Sequence, residues 1–185
     1  MRNPLLDRSS PRELAEQGQV IEKEKELQVF PRLAEIVAAD LASLEKGDVP
    51  GKWRQAPVAI RLVFGWGDSR QQIPVLTGRV RAQMPAVCQR CLGPLDLTLD
   101  VQLNLLLAGP DSGIAATDQY EVWELEEATI RPLDILEEAL IMAMPLSALH
   151  GPGEACNTPI ETEVADSSET VRPFADLRSQ LRQKD

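Results

Sequence analysis

Val87-Cys88-Gln89-Arg90-Cys91-Leu92-Gly93-Pro94-Leu95 joins two stretches that both read as β-strands, and the fold follows from that junction. Before it, Leu76, Gly78, Val80, Ala82 and Met84 alternate with Thr77, Arg79, Arg81 and Gln83. After it, Leu95, Leu97, Leu99, Val101, Leu103, Leu105 and Leu107 occupy every second position. Alternation with a period of two marks a strand with one buried face. The link between the strands is short and holds Gly93 and Pro94, so residues 75–107 predict an antiparallel hairpin. Its tip carries two thiols, Cys88 and Cys91, in a Cys-x-x-Cys arrangement.

The elements around the hairpin are read in the same way. Residues 58–64 alternate through Val58, Ile60, Leu62 and Phe64 and predict a neighbouring strand, and residues 120–125 predict a shorter one. In residues 19–30, Val20, Glu22, Glu24 and Glu26 alternate with Ile21, Lys23, Lys25 and Leu27, which fits either a charged edge strand or a short helix. Residues 31–46 predict a helix that starts on Pro31, with an apolar face of Leu33, Ile36, Val37, Leu41 and Leu44 and a stop at Lys46-Gly47. Residues 131–144 predict a second helix, with Pro132 at its start, a stripe of Leu133, Leu136, Leu140, Ile141 and Met144, and Pro145 beyond it. The expected fold class is α+β: an antiparallel sheet, with curling towards a barrel as one form open to it, and two packed helices. Residues 1–19 are polar and expected to be a loose arm with about one helical turn near Arg12, residues 20–156 a single α+β domain, and residues 157–185 a mostly disordered acidic tail with a short Pro-Phe segment.

Composition narrows the function. The chain of 185 residues has a net charge of −10, unevenly placed: residues 1–90 sum to +3, residues 91–171 to −15 and residues 172–185 to +2. Arg131 is the one basic residue between Cys91 and Val171. A split of this kind suits a basic partner for the acidic half, and equally a solvated surface that maintains solubility. No run approaches the ~20 apolar residues that span a bilayer. The first residues lack a long apolar segment, so no secretory signal is expected. Three cysteines, an odd number, argue against a disulfide framework and fit a reducing cytoplasm.

The residues with chemistry of their own are few. The remaining cysteine, Cys156, and the single histidine, His150, lie close together past the second helix. With Cys88 and Cys91 they make one set of three thiols and an imidazole, the donor types of a structural zinc site. The alternatives for Cys88 and Cys91 are two small reduced side chains or a reversible disulfide. Thiol redox catalysis is disfavoured because Gly93-Pro94 and a strand follow the motif, where reactive pairs sit at a helix N-terminus. The carboxylates Glu126, Glu127, Glu137 and Glu138 sit in runs that read as solvated. There is no nucleophile elbow, phosphate loop or dinucleotide motif, so the chain reads as a non-enzyme with no small-molecule substrate. Arg61, Arg79, Arg81 and Arg90 could form a modest phosphate-binding patch or be ordinary solvent-facing arginines.

Residues 87–95 resemble a signature of the YceD family, the large ribosomal RNA subunit accumulation proteins. So does Pro132-Leu133-Asp134-Ile135-Leu136-Glu137-Glu138-Ala139-Leu140-Ile141-Met142-Ala143-Met144-Pro145, with His150 and Cys156 beyond it, and so does the ending Arg172-Pro173-Phe174-Ala175-Asp176-Leu177. The resemblance implies a cytoplasmic, non-catalytic protein that supports 23S rRNA accumulation and large-subunit biogenesis, with a large-subunit ribosomal protein or 23S rRNA as partner. A thiol–disulfide redox protein or sensor using Cys88 and Cys91, and a zinc-stapled adaptor without a ribosomal role, are the alternatives from other classes.

Overall fold

The protein is described by a computed structural model over residues 3–68, 72–109, 112–113, 115–151 and Cys156. The acidic 157–171 stretch and the Pro-Phe ending fall outside the described residues.

The predicted hairpin is the middle of a five-stranded sheet of order β1-β2-β3-β4-β5. Strands β3 (Pro74–Val87) and β4 (Pro94–Ala108) pair antiparallel from Val75↔Leu106 to Val87↔Pro94. Strand β2 (Pro57–Trp66) lies on the other side of β3. Residues 19–30 resolve as an edge strand, β1 (Val20–Glu26), followed by a 3₁₀ turn at Leu27–Val29. The alternation read from the sequence places the inner face as expected. Val58, Ile60, Leu62 and Phe64 of β2 sit opposite Ala82, Val80, Gly78 and Leu76 of β3. Those face Leu99, Val101, Leu103 and Leu105 of β4 in turn. Gly78 is required there, since a Cβ would stand 2.3 Å from the Arg61 carbonyl oxygen and 2.8 Å from a Leu62 methyl.

Two parts of the expected sheet are corrected. Strand β5 (Glu121–Glu124) runs parallel to β4, pairing Leu105–Ala108 with Glu121–Glu124, so the sheet is mixed rather than wholly antiparallel. The long connection from β4 brings the chain back to the same end before β5 begins, which is the condition for a parallel pair. The sheet also stays open, with β1 and β5 as its edges, so the barrel form is not adopted. Helices, not further strands, cover the inner face.

There are three helices among the described residues where two were expected. The two predicted ones are α2 (Pro31–Leu41) and α3 (Pro132–Ala143), and each begins on a proline, whose missing N–H is no loss in a first turn. Helix α2 is shorter than its apolar pattern, and Ala34 takes the inward place while Ile36 faces solvent. Helix α3 buries Leu133, Ile135, Leu136 and Leu140. Side chains of this size contribute about 1.5–3 kcal/mol each on full burial. The third helix, α1 (Pro11–Glu16), falls where one helical turn was expected in an otherwise loose arm. Leu5 and Leu14 from that stretch enter the same apolar cluster as Phe30, Leu62 and Leu136. Ser9 and Ile130 exchange both backbone hydrogen bonds, at 2.9 Å each. Gly18, at φ +53°, ends α1, with its N–H on Ala15 O and that of Gln19 on Leu14 O. No described helix is long and apolar enough to cross a membrane.

Candidate metal centre

The hairpin tip is a compact knuckle. The Cys88 N–H donates to Gly93 O at 2.9 Å and the Leu92 N–H to Cys88 O at 2.8 Å, closing the turn on itself. Leu92 adopts a left-handed conformation, φ 58°, which is uncommon for a side chain of its size and marks how tightly the chain must turn. Two outside contacts fix the knuckle. Asp40, at the end of α2, accepts the Val87 N–H at 2.8 Å. The Gln89 N–H donates to Ala148 O, past the end of α3, at 2.8 Å. The second contact draws residues 145–150 against the knuckle.

All four sequence-predicted donors meet there. The sulfurs of Cys88, Cys91 and Cys156 and a ring nitrogen of His150 lie within 4.8 Å of one another. Cys88 Sγ is 3.9 Å from Cys156 Sγ, and Cys91 Sγ is 3.5 Å from His150 Nδ1. A tetrahedral zinc with ordinary bond lengths sets sulfurs ~3.8 Å apart and a sulfur–nitrogen pair ~3.6 Å apart. The donor set therefore has the chemistry and the spacing to hold such a metal. The other histidine nitrogen, Nε2, lies 3.1 Å from the Pro94 carbonyl oxygen. A proton on Nε2 donated to that acceptor would leave the Nδ1 lone pair turned towards the sulfurs, a common support for a metal-binding histidine. Cys88 is buried, Cys91, His150 and Cys156 are half-buried, and all three thiols are free of disulfides.

The thiols differ in acidity. Burial pushes the Cys88 thiol up, but the backbone N–H groups of Cys91, His150 and Arg90 outweigh it and bring the thiol down to about 5. Burial also pushes the Cys156 thiol up, and with the neighbouring Cys91 and Cys88 sulfurs takes it to about 11. Three thiolates cannot gather here unaided. A bound cation would supply the charge that lets them ionise together.

The other candidate residues separate. Arg79 and Arg81 both pair with Asp100 across the hairpin, and this holds the Asp100 carboxyl well below the usual carboxylate range. The arginine patch is thus partly neutralised by its own strand partner. Glu138 is ion-paired with Arg32 at 2.7 Å and Glu127 with Arg8. Glu137, expected in a solvated run, is instead 3% exposed. Its Oε1 accepts the N–H groups of Arg32 at 2.7 Å and Leu33 at 3.2 Å. It thus caps the first turn of α2 from α3, in a helix whose own cap position makes no side-chain bond.

Residues 76–180 match the family model of the large ribosomal RNA subunit accumulation protein YceD. The chain belongs to the YceD family. A large ribosomal RNA subunit accumulation protein YceD from Haemophilus influenzae is 29% identical to it over 121 residues, covering 62% of this chain and 68% of that protein. No solved structure matches. The family match takes in the whole knuckle, α3, His150 and Cys156.

Proposed function

We propose that this chain supports accumulation of large-subunit 23S rRNA as a cytoplasmic binding factor without catalytic chemistry, and that a zinc ion at Cys88, Cys91, His150 and Cys156 staples its fold. The observation that carries the rRNA role is the family match, which runs through the candidate metal centre. The observation that carries the zinc is the convergence of four soft donors at tetrahedral spacing. A disulfide-exchange enzyme needs two accessible thiols with a reactive one exposed, whereas here the most acidic thiol, Cys88, is fully buried. Zinc at this position would tie the hairpin tip to the segment leaving α3 and so keep the acidic half of the chain in one shape.

The acidic half suits a basic partner, and a large-subunit ribosomal protein has that character, while 23S rRNA is the competing candidate. The test is the ratio of large- to small-subunit rRNA in cells lacking the protein, complemented by wild type and by the Cys88→Ser/Cys91→Ser variant. The expected result is a fall in large-subunit rRNA that wild type restores and the double variant restores incompletely. An unchanged ratio in cells that normally express the protein would refute the rRNA role.

A further inference from the structure

The two edges of the sheet are unlike. The outer edge strand β1 carries Glu22, Lys23, Glu24, Lys25 and Glu26 in succession, the charged dress that keeps an edge from pairing with other chains. Strand β4 has no such protection. Strand β5 covers it only at Leu105–Ala108, and among the described residues no strand pairs with that side of β4 over 95–104. At the far end of this stretch, His150 engages the Pro94 carbonyl oxygen, so the open length begins beside the candidate metal centre. No lysine or arginine lies between Cys91 and Arg131.

What borders the open edge points to its occupant. Leu95, Leu97 and Val101, on the inner face, are only half-buried. Beside them a groove of about 680 Å³ runs between β4, the 117–123 segment and the end of α3. Val101, Leu103 and Trp123 line it on one side and Met142, 76% exposed, on another, while Asp118 and Glu121 stand on its rim. A strand needs main-chain partners, apolar contacts for alternate side chains and matching charge; this stretch offers backbone that no described strand pairs, the apolar lining of the groove, and the carboxylates of Asp118 and Glu121. A second copy of this chain would bring the carboxylates of Asp96, Asp118 and Glu121 against their own counterparts, and RNA would meet the same carboxylates, so charge selects a cationic polypeptide.

We propose that the open edge of β4 over residues 95–104, with the adjoining groove, takes up an extended segment of a partner protein as an added strand, the segment alternating basic and apolar side chains. The proposal deepens the basic-partner part of the proposed function by giving that partner a place and a conformation.

The test is amide hydrogen exchange of the full chain with three synthetic decapeptides: alternating lysine–valine, alternating lysine–proline, and alternating glutamate–valine. The lysine–valine peptide is expected to slow exchange within 95–104 and leave β1 unaffected. The other two are expected to protect neither 95–104 nor β1, since proline removes the strand donors and glutamate reverses the charge. The Asp118→Lys/Glu121→Lys variant should bind the lysine–valine peptide about tenfold more weakly. Equal binding of the lysine–proline peptide, protection at β1, or protection of 95–104 by polyuridylate or by raised protein concentration alone would each overturn the proposal. The rRNA measurement is separate. A fall in large-subunit rRNA without edge protection removes the docking site and leaves the rRNA role standing. Edge protection in a protein whose loss leaves rRNA unchanged upholds the docking site and removes the rRNA role.

Discussion

The two ends of the β3–β4 hairpin are held by different physics. At the end near Leu76 and Leu105, both side chains are buried in the common core, and Gly78 lets β2 and β3 approach closely. At the tip, Val87 and Cys88 are buried, but Leu95 and Leu97 are only half-buried and Leu92 is exposed, so the β4 side of the tip gains less apolar area. The tip is held instead by the Asp40 and Ala148 hydrogen bonds and by four donors gathered at one point. One end of a single hairpin rests on the common core, while the other would be completed by the proposed zinc.

Substitution at the core end should show the largest effect. Leu76→Ala should cost about 2–5 kcal/mol in denaturant unfolding, with the same loss whether zinc is present or removed. A loss that depended on zinc would mean that the two ends are not separately held. Metal removal comes next. Zinc at about 100 times its Kd adds about 2.7 kcal/mol, so a chelator should lower the thermal midpoint by a matching amount. The accompanying rise in amide exchange should be confined to the knuckle and residues 145–150, and Cys88→Ser should reproduce it. Asp40→Ala should cost about 1 kcal/mol by freeing the Val87 N–H and should weaken zinc binding as well. The conservative Asp40→Asn, which keeps an acceptor, should restore most of that affinity; if it does not, the contact is not what positions the knuckle.

The smallest effect concerns the outer face of the hairpin. Asp100 is ionised more readily in the folded chain than in the unfolded one because Arg79 and Arg81 flank it. Its contribution is therefore complete above the unfolded carboxylate value, near pH ~4, and fades as pH falls further towards the lowered folded value. Asp100→Asn should therefore cost more at pH 7, where that contribution is complete, than at pH 3, and so flatten the acid limb of the stability curve, by a small amount since the pairs are exposed. A loss at pH 3 equal to or larger than that at pH 7 would show that the pairing has been misassigned. These exposed pairs are worth little at physiological salt, so the difference should shrink further at high ionic strength.

What the sequence makes legible follows from how local each signal is. Strict alternation in residues 95–107 and helical spacing in 131–144 report burial directly, and the hairpin and α3 stand where those patterns place them. The donor set is also legible, because Cys-x-x-Cys brings two thiols together by covalent spacing and only one histidine and one further cysteine exist to complete it. That His150 and Cys156 actually arrive there depends on the Gln89–Ala148 bond, which no local pattern announces. The role of Glu137 is hidden for the same reason. With Glu138 beside it, it reads as one of a charged pair on an otherwise apolar stretch, while its partners, the N–H groups of Arg32 and Leu33, come from a helix more than a hundred residues away. Leu5 and Leu14 sit singly in a polar stretch, so their burial has no periodicity to betray it. The parallel pairing of β5 rests on a four-residue strand after a long connection, too short a segment to reveal its direction.

The most direct test of the central claim is the metal content of the purified full-length chain, measured by mass spectrometry under non-denaturing conditions and by elemental analysis. The account predicts one zinc per chain in the wild type and none retained by Cys88→Ser/Cys91→Ser. A folded wild-type chain that carries no zinc after growth and purification with zinc present, and gains no stability when zinc is added, would contradict it.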